Sequence, residues 1–349
     1  MRAIKTILII LGALVGLLLI LGLMGSKTYH YERSATIAAP ADAVFPYVGT
    51  LAGMDKWSPW NDLDPAMKKS IEGTDGATGA VAKWEGNKDV GKGEQRIDSV
   101  MPGKGIRTHL TFLEPWQQES EAGIDLATAG DSTKVTWFLE GENGFMGRVM
   151  GVFMDMDAMI GKDFEKGLDR LRSMVEEENA KKLAEQKALL ARYAIGTANR
   201  PAMTYVGVRE TVKWDDFKAF FTRAFQGTGA AMGKARVKPI GPPTAVYFKW
   251  DEENHQAELL AGFPIADGDK GKVKDVVEYT SLASEAYSID YRGGYMSMEP
   301  AHMALSTKIE MDVKELNETV IEEYITDPGN EPDSTKWQTN IIWLAKPKG

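Results

Sequence analysis

Residues 7–24 carry no charge and consist of Ile, Leu, Val, Gly and Ala ending in Met24. A helix of that length crosses about 30 Å of hydrocarbon, so the run predicts a membrane span. Arg2 and Lys5 precede it. The excess of positive charge on the cytoplasmic side then places the chain after Ser26 across the membrane. In a bacterial cell this describes a single-pass inner-membrane protein whose C-terminal part lies on the periplasmic or external side. The rival is a cleaved signal peptide, but its apolar core is ordinarily about 7 to 15 residues and is followed by an A-x-A-like site, which this sequence lacks.

Beyond the span the period changes. Residues 29–37 alternate as a strand, and Pro40-Ala41-Asp42 opens a short helix. Strand-like stretches at 81–85, 93–100, 105–112, 118–126 and 133–140 are punctuated by Gly and Asp, which predicts an antiparallel meander. After Gly144 the apolar positions Phe145, Val149, Val152, Met156, Ile160, Phe164, Leu168, Leu171 and Val175 recur at three- and four-residue steps. That spacing predicts one long amphipathic helix. Glycines 147, 151, 161 and 167 lower its propensity and let its backbone approach a neighbour. Residues 176–192, rich in Glu, Lys, Ala and Leu, extend as an exposed helix that ends before Gly196. This predicts a helical linker over 176–199, either a solvated spacer or a short coiled-coil seam.

From residue 200 the order strand, helix, strand, strand occurs twice. The first set is 203–208, 214–235, 244–250 and 256–263. The second is 273–282 with 286–291, then 299–316, 319–326 and 338–344, which predicts an internal duplication. Gly241-Pro242-Pro243 and Asp327-Pro328-Gly329 supply turn chemistry between elements. The expected fold class is α+β: an anchor at 1–27, a sheet-and-helix domain at 28–175, the linker, and a second domain at 200–349.

Length and composition agree, since 349 residues exceed what one core organises and 43% hydrophobic residues suffice for two. A net charge of −9, with no basic stripe, argues against nucleic acid as a partner. The absence of cysteine removes disulfides, thiolate metal sites and cysteine nucleophiles. His30, His109, His255 and His302 are not paired at the spacing of a helical zinc site, so neither a metal nor another cofactor is expected. The run 86–93 approaches a phosphate loop but ends in Gly93 where Ser or Thr would hold magnesium, and a strand follows, so it reads as a glycine-rich hairpin. Gly227-Thr228-Gly229 follows a helix instead of a strand, which removes the dinucleotide reading. No nucleophile elbow is present. Asn317-Glu318-Thr319 fits a glycosylation acceptor, which matters only in a eukaryotic secretory pathway.

Two stretches carry resemblances. Ala39-Pro40-Ala41-Asp42-Ala43-Val44-Phe45 and Trp57-Ser58-Pro59-Trp60, in the order strand, short helices, long sheet and C-terminal helix, make residues 28–175 resemble the SRPBCC superfamily of START, polyketide cyclase and Bet v 1-like proteins. The resemblance implies a helix-grip fold around an apolar cavity, with Trp84, Phe112, Trp137, Met150 and Phe153 as lining residues. Tyr291-Arg292-Gly293-Gly294-Tyr295, where relatives often carry Gly-Pro-Tyr, and Glu322-Glu323-Tyr324-Ile325-Thr326-Asp327-Pro328 make residues 200–346 resemble the GyrI-like small-molecule-binding domain. That resemblance implies a ligand groove in which Glu322 meets cationic ligands.

Glu322 stands among Val320, Ile321, Tyr324 and Ile325, where an unpaired carboxylate is costly to bury. It needs a partner or a ligand. Alternation puts it on the face of Val320 and Tyr324, and leaves Glu323 as the rival on the other face. Tyr205, Tyr247, Phe248, Trp250, Phe263, Tyr295 and Trp343 supply walls for a flat or cationic ligand, or else plain core. Trp57 and Trp60 cap the first domain's interior or anchor its short helices. Met146, Met150, Met154, Met156 and Met159 suit either an adaptable lid or gap filling. The expected function is a membrane-anchored sensor or carrier of small apolar or aromatic compounds, cations among them. The alternatives are a cyclase- or hydrolase-type enzyme with Glu322 as general acid/base, and an envelope assembly protein whose protein partners the sequence leaves open.

Overall fold

The computed structural model describes residues 2–115 and 117–348. The chain divides into two compact units, Met1–Lys182 and Leu183–Gly349. The first begins with α1 (Arg2–Met24), of which Ile4–Met24 is long and apolar enough to cross a bilayer. Then come β1 (Thr28–Ile37), α2 (Ala41–Val48), α3 (Leu51–Trp57), β2 (Lys68–Glu72), β3 (Val81–Glu85), β4 (Lys92–Met101), β5 (Gly105–Glu114), β6 (Gln118–Ala129), β7 (Ser132–Glu142), α4 (Phe145–Phe153) and α5 (Met156–Leu190). The sheet has the order β1-β7-β6-β5-β4-β3-β2, and every pairing is antiparallel. The outer strand β2, Lys-Lys-Ser-Ile-Glu, is exposed throughout, and it lacks the apolar alternation that reveals the other strands. The run 86–93 closes the β3–β4 hairpin, in which the Gly86 N–H donates to the Gly91 carbonyl.

The core of this unit joins Ile97, Ile106, Ile124 and Val135 of the sheet to Leu168, Leu171 and Val175 of α5, and to Val44, Val48, Leu51 and Trp57 of the short helices. The expected single helix after Gly144 is instead broken. Met154 is extended (φ −125°, ψ 129°), and the Asp155 carboxylate accepts the Ala158 N–H at 3.0 Å, capping a new helix start. α5 then runs without a break past residue 175.

The second unit contains β8 (Ile195–Arg200), β9 (Thr204–Lys213), α6 (Phe217–Ala235), β10 (Thr244–Asp251), β11 (Gln256–Ile265), β12 (Val277–Thr280), β13 (Ser284–Arg292), α7 (Glu299–Met311), β14 (Lys314–Tyr324) and β15 (Gln338–Pro347). Its sheet has the order β12-β9-β11-β10-β14-β15-β13-β8. The expected helical linker over 176–199 is corrected here, because residues 195–199 belong to β8, an edge strand paired with β13. The expected helix over 299–316 is also shorter. Val313 takes a left-handed backbone (φ 56°), and the Asp312 carboxylate accepts from Tyr287 at 2.7 Å and Lys308 at 2.5 Å, so the chain turns into β14. Asn317-Glu318-Thr319 falls at the register shift of β14, where Glu318 also has positive φ (67°).

Both helices of this unit lie on one face of the sheet, α6 over β9 and β11, α7 over β13, β14 and β15. The other face carries Tyr205, Val246, Leu260, Ile321, Ile342 and Leu344. The seam between β10 and β14, at the middle of the sheet, thus falls between the two helices.

Candidate functional site

The pairing register decides which side chains meet at that seam. Ala245 of β10 stands opposite Glu322 of β14, and Glu322 stands opposite Ile341 of β15. Opposed residues and those two positions away share a face, so Glu322 joins Tyr247, Tyr324 and Trp343 on the helix side. Glu323 points the other way, where Arg200 and Asn340 hold it at 2.6 and 2.9 Å. Two adjacent carboxylates therefore have opposite situations: Glu323 is paired with a cation, while Glu322 is buried among neutral donors.

Glu322 is 5% exposed. Its Oε2 accepts from the Tyr324 hydroxyl at 2.7 Å and from the Tyr247 hydroxyl at 3.2 Å, and its Oε1 lies 3.1 Å from His302 Nε2 on α7. The second ring nitrogen of His302 fixes the proton count. Trp343 Nε1 lies 3.1 Å from His302 Nδ1, and an indole nitrogen only donates, so Nδ1 must accept. The histidine is then neutral and carries its proton on Nε2, which donates to Glu322. Among the described residues no Lys or Arg forms an ion pair with Glu322. Three of its roughly four acceptor directions are used.

The surrounding phenols respond to that charge. Burial, and then the negative charge of Glu322, push the hydroxyls of Tyr247 and Tyr324 well above their ordinary range, which keeps both protonated and donating. Burial raises Tyr295 too. Aromatic rings enclose the position. Tyr324 has Tyr295, Phe221 and Phe225 at centroid distances of 5.3, 5.7 and 6.0 Å, and Tyr295 lies 4.9 Å from Trp337. Tyr247 leads outward to Trp250 at 5.9 Å, which stacks on Trp214 at 5.3 Å and is half exposed. Such rings present their negative faces to a cation.

Of the residues singled out in this half of the sequence, the structure gathers Glu322, Tyr324, Tyr295, Trp250 and Trp343 around the seam. It does not bring Tyr205 or Phe248 there. Tyr205 is buried on the opposite face with its hydroxyl held by Arg200, and Phe248 lies beneath the Arg209 guanidinium at 3.7 Å, on the same side as Tyr205. Strand alternation turns Phe248 away from Tyr247, and the register shift that follows returns Trp250 to the Tyr247 side. His302 went unrecognised because its partners are 20 and 41 positions away and no local spacing announces them. The readable signal was a lone imidazole among the buried positions Ala301, Ala304 and Leu305 of α7.

In the first unit the register puts Trp84, Phe112 and Trp137 on one sheet face. They form two groups. Trp84 meets Phe112 edge-on at 5.8 Å, while Trp137 stacks on Phe164 of α5 at 4.1 Å and takes the edges of Trp57 and Trp60 at 4.9 and 5.5 Å. Trp57 is itself anchored, its indole N–H donating to the Tyr47 carbonyl at 2.9 Å. Met150 and Phe153 do not line this interior: both are exposed on α4, Phe153 to 70%. The helix break at Met154 turns that segment outward. Among the described residues of this unit, Asp98, His109 and Glu121 form one group of possible metal ligands, but Arg96 already pairs with Asp98 at 2.9 Å and the His109 ring lies 2.6 Å from Glu121.

No curated protein matches the sequence. Solved structures resemble parts of the chain at low identity. The EcmrR C-terminal domain is 17% identical with a TM-score of 0.37 and covers 44% of this chain and 98% of its own. SAV2435, solved bound to tetraphenylphosphonium, is 14% identical (TM-score 0.34; 44% and 94% covered). The Aha1 dimer from Colwellia psychrerythraea is 18% identical (TM-score 0.32; 42% and 96% covered). Residues 28–176 match the family described as polyketide cyclase / dehydrase and lipid transport, so the first unit is similar to SRPBCC-type ligand-binding domains.

Proposed function

We propose that this chain is a membrane-anchored binding protein whose second unit takes small aromatic cations at the β10–β14 seam, and whose first unit takes neutral apolar molecules. The observation that carries the reading is Glu322: a buried carboxylate with three hydrogen-bond donors and, among the described residues, no Lys or Arg paired with it. Burying an uncompensated charge is unfavourable, and an aromatic cation arriving among Tyr295, Tyr324 and Trp250 relieves it. The second unit, over residues 200–349, is read as GyrI-like and internally duplicated. The mirror order β9-β11-β10 followed by β14-β15-β13, with a helix after β9 and another after β13, supports that reading. The apolar run 7–24 of α1, preceded by Arg2 and Lys5, supports an inner-membrane anchor with both units on the periplasmic side.

The test is calorimetric titration of the full chain and of Glu322→Gln with a lipophilic aromatic cation and its uncharged isostere. Loss of a charge-assisted contact of about 1.5 to 3 kcal/mol weakens the cation by roughly tenfold to a hundredfold and leaves the isostere unchanged. Equal weakening of both removes Glu322 from the role. The Tyr324 hydroxyl at 2.7 Å favours a second reading, in which Glu322 is the general acid/base of a cyclase or hydrolase. A product formed by the wild type and not by Glu322→Gln would select it.

A further inference from the structure

α4 leaves most of its apolar side chains in solvent. Val149 is its one buried residue, whereas Phe145, Met146, Met150, Val152 and Phe153 are exposed, Met146 to 64%. Single exposed apolar residues are ordinary, but a contiguous set on one short helix marks a contact surface. What covers it is indicated by its neighbour. The end of α1 packs against α4 at two glycines: a side chain at Gly22, in its last turn, would strike the Phe145 ring, and one at Gly25, just past it, would strike the backbone of Arg148.

The attachment is also pinned by hydrogen bonds. The Asn143 backbone N–H donates to the Lys27 carbonyl at 2.8 Å, the Asn143 side-chain amide donates to the Ser26 carbonyl at 3.1 Å, and Arg148 Nε donates to the Asn143 carbonyl at 3.1 Å. α4 therefore starts at the level where the chain leaves α1. With Leu17, Leu19, Ile20, Leu23 and Met24 of α1 also exposed, the apolar surface continues from one helix to the other.

We propose that α4 is an interfacial helix whose exposed face lies in the headgroup and acyl boundary of the same bilayer that α1 spans. The inference rests on the anchor reading and adds a second membrane contact to it. Phe145, Met146, Met150 and Phe153 are side chains suited to that boundary, while Arg148 and Lys27 suit the phosphate level beside it.

The chain contains no cysteine, so single reporters enter without background. The full-length variants Phe153→Cys, Met146→Cys and Leu17→Cys are labelled with an environment-sensitive dye in phosphatidylcholine/phosphatidylglycerol vesicles. Each is challenged with aqueous iodide and with lipid-borne nitroxide. The proposal expects the dyes at 153 and 146 to be quenched by nitroxide and to be several-fold less sensitive to iodide than the same variants in detergent-free denaturant. If the dye at 17 is in lipid while those at 153 and 146 are quenched by iodide alone, α4 docking is overturned and the anchor stands. If the dye at 17 is also in water, anchor and docking fall together.

Discussion

Both units bury one face of an antiparallel sheet under helices, but they handle charge differently. In the first, the carboxylates near α5 are matched by cations at the rim: Asp62 is held by Arg170 and Lys166, and Arg33 by Asp157 at 3.0 Å and Glu165 at 3.1 Å. Its interior is aromatic and aliphatic. In the second, Glu322 is inside the unit and its partners are all neutral. A neutral interior gains from apolar burial alone, whereas an uncompensated carboxylate makes the charge of the guest decisive. The difference teaches that two similar sheet-and-helix layouts present different chemistry to a ligand.

The largest effect expected from breaking this contrast is on stability in the first unit. Phe164 is 1% exposed and stacks on Trp137 at 4.1 Å. If the aromatic cluster is packed core, Phe164→Ala removes about 3 to 5 kcal/mol, seen as a lower unfolding midpoint in denaturant. A loss under about 1 kcal/mol would mean that the rings border open space, and the first unit would then be a preformed cavity.

The contrast was only partly legible in the sequence. Alternation and turn residues located β1, β3 to β7 and the main strands of the second unit, because one buried face imposes a period of two. They missed β2, which has no buried face, and β8, which lies in a stretch that reads as linker. The helix break at Met154 escaped because Val152 and Met156 keep the helical period across it. Glu322 was legible as a polar residue in an apolar strand, and alternation separated it from Glu323. Its environment was not legible, because His302 and Trp343 reach it through tertiary structure. Tyr205 and Phe248 were grouped with it by residue type, which carries no information about face.

The next effect concerns the hydrogen bonds that hold Glu322 in place. Trp343→Phe deletes the indole N–H that His302 Nδ1 accepts at 3.1 Å, and with it the contact that aims Nε2 at Glu322. Affinity of Trp343→Phe for an aromatic cation should fall by about tenfold, with affinity for the uncharged isostere unchanged. Equal weakening of both ligands would show that Trp343 acts as a wall and does not position the carboxylate, and the contrast between the units would weaken.

The smallest effect is expected where charge is compensated. Arg170 and Lys166 hold the Asp62 carboxyl down at about 2, from an ordinary 3.8. A lowered value in the folded state means that the folded protein binds the proton less readily than the unfolded chain. The contribution is therefore complete above 3.8 and disappears as pH falls through about 2. Asp62 is about half exposed, so solvent screens the pair. Asp62→Asn should lower the thermal midpoint only slightly at pH 7, less so in high salt, and not at all once the wild-type carboxyl is protonated. A large, salt-independent drop would show that the Arg170 and Lys166 contacts are as shielded from water as Glu322, and that the rim of the first unit is part of its interior.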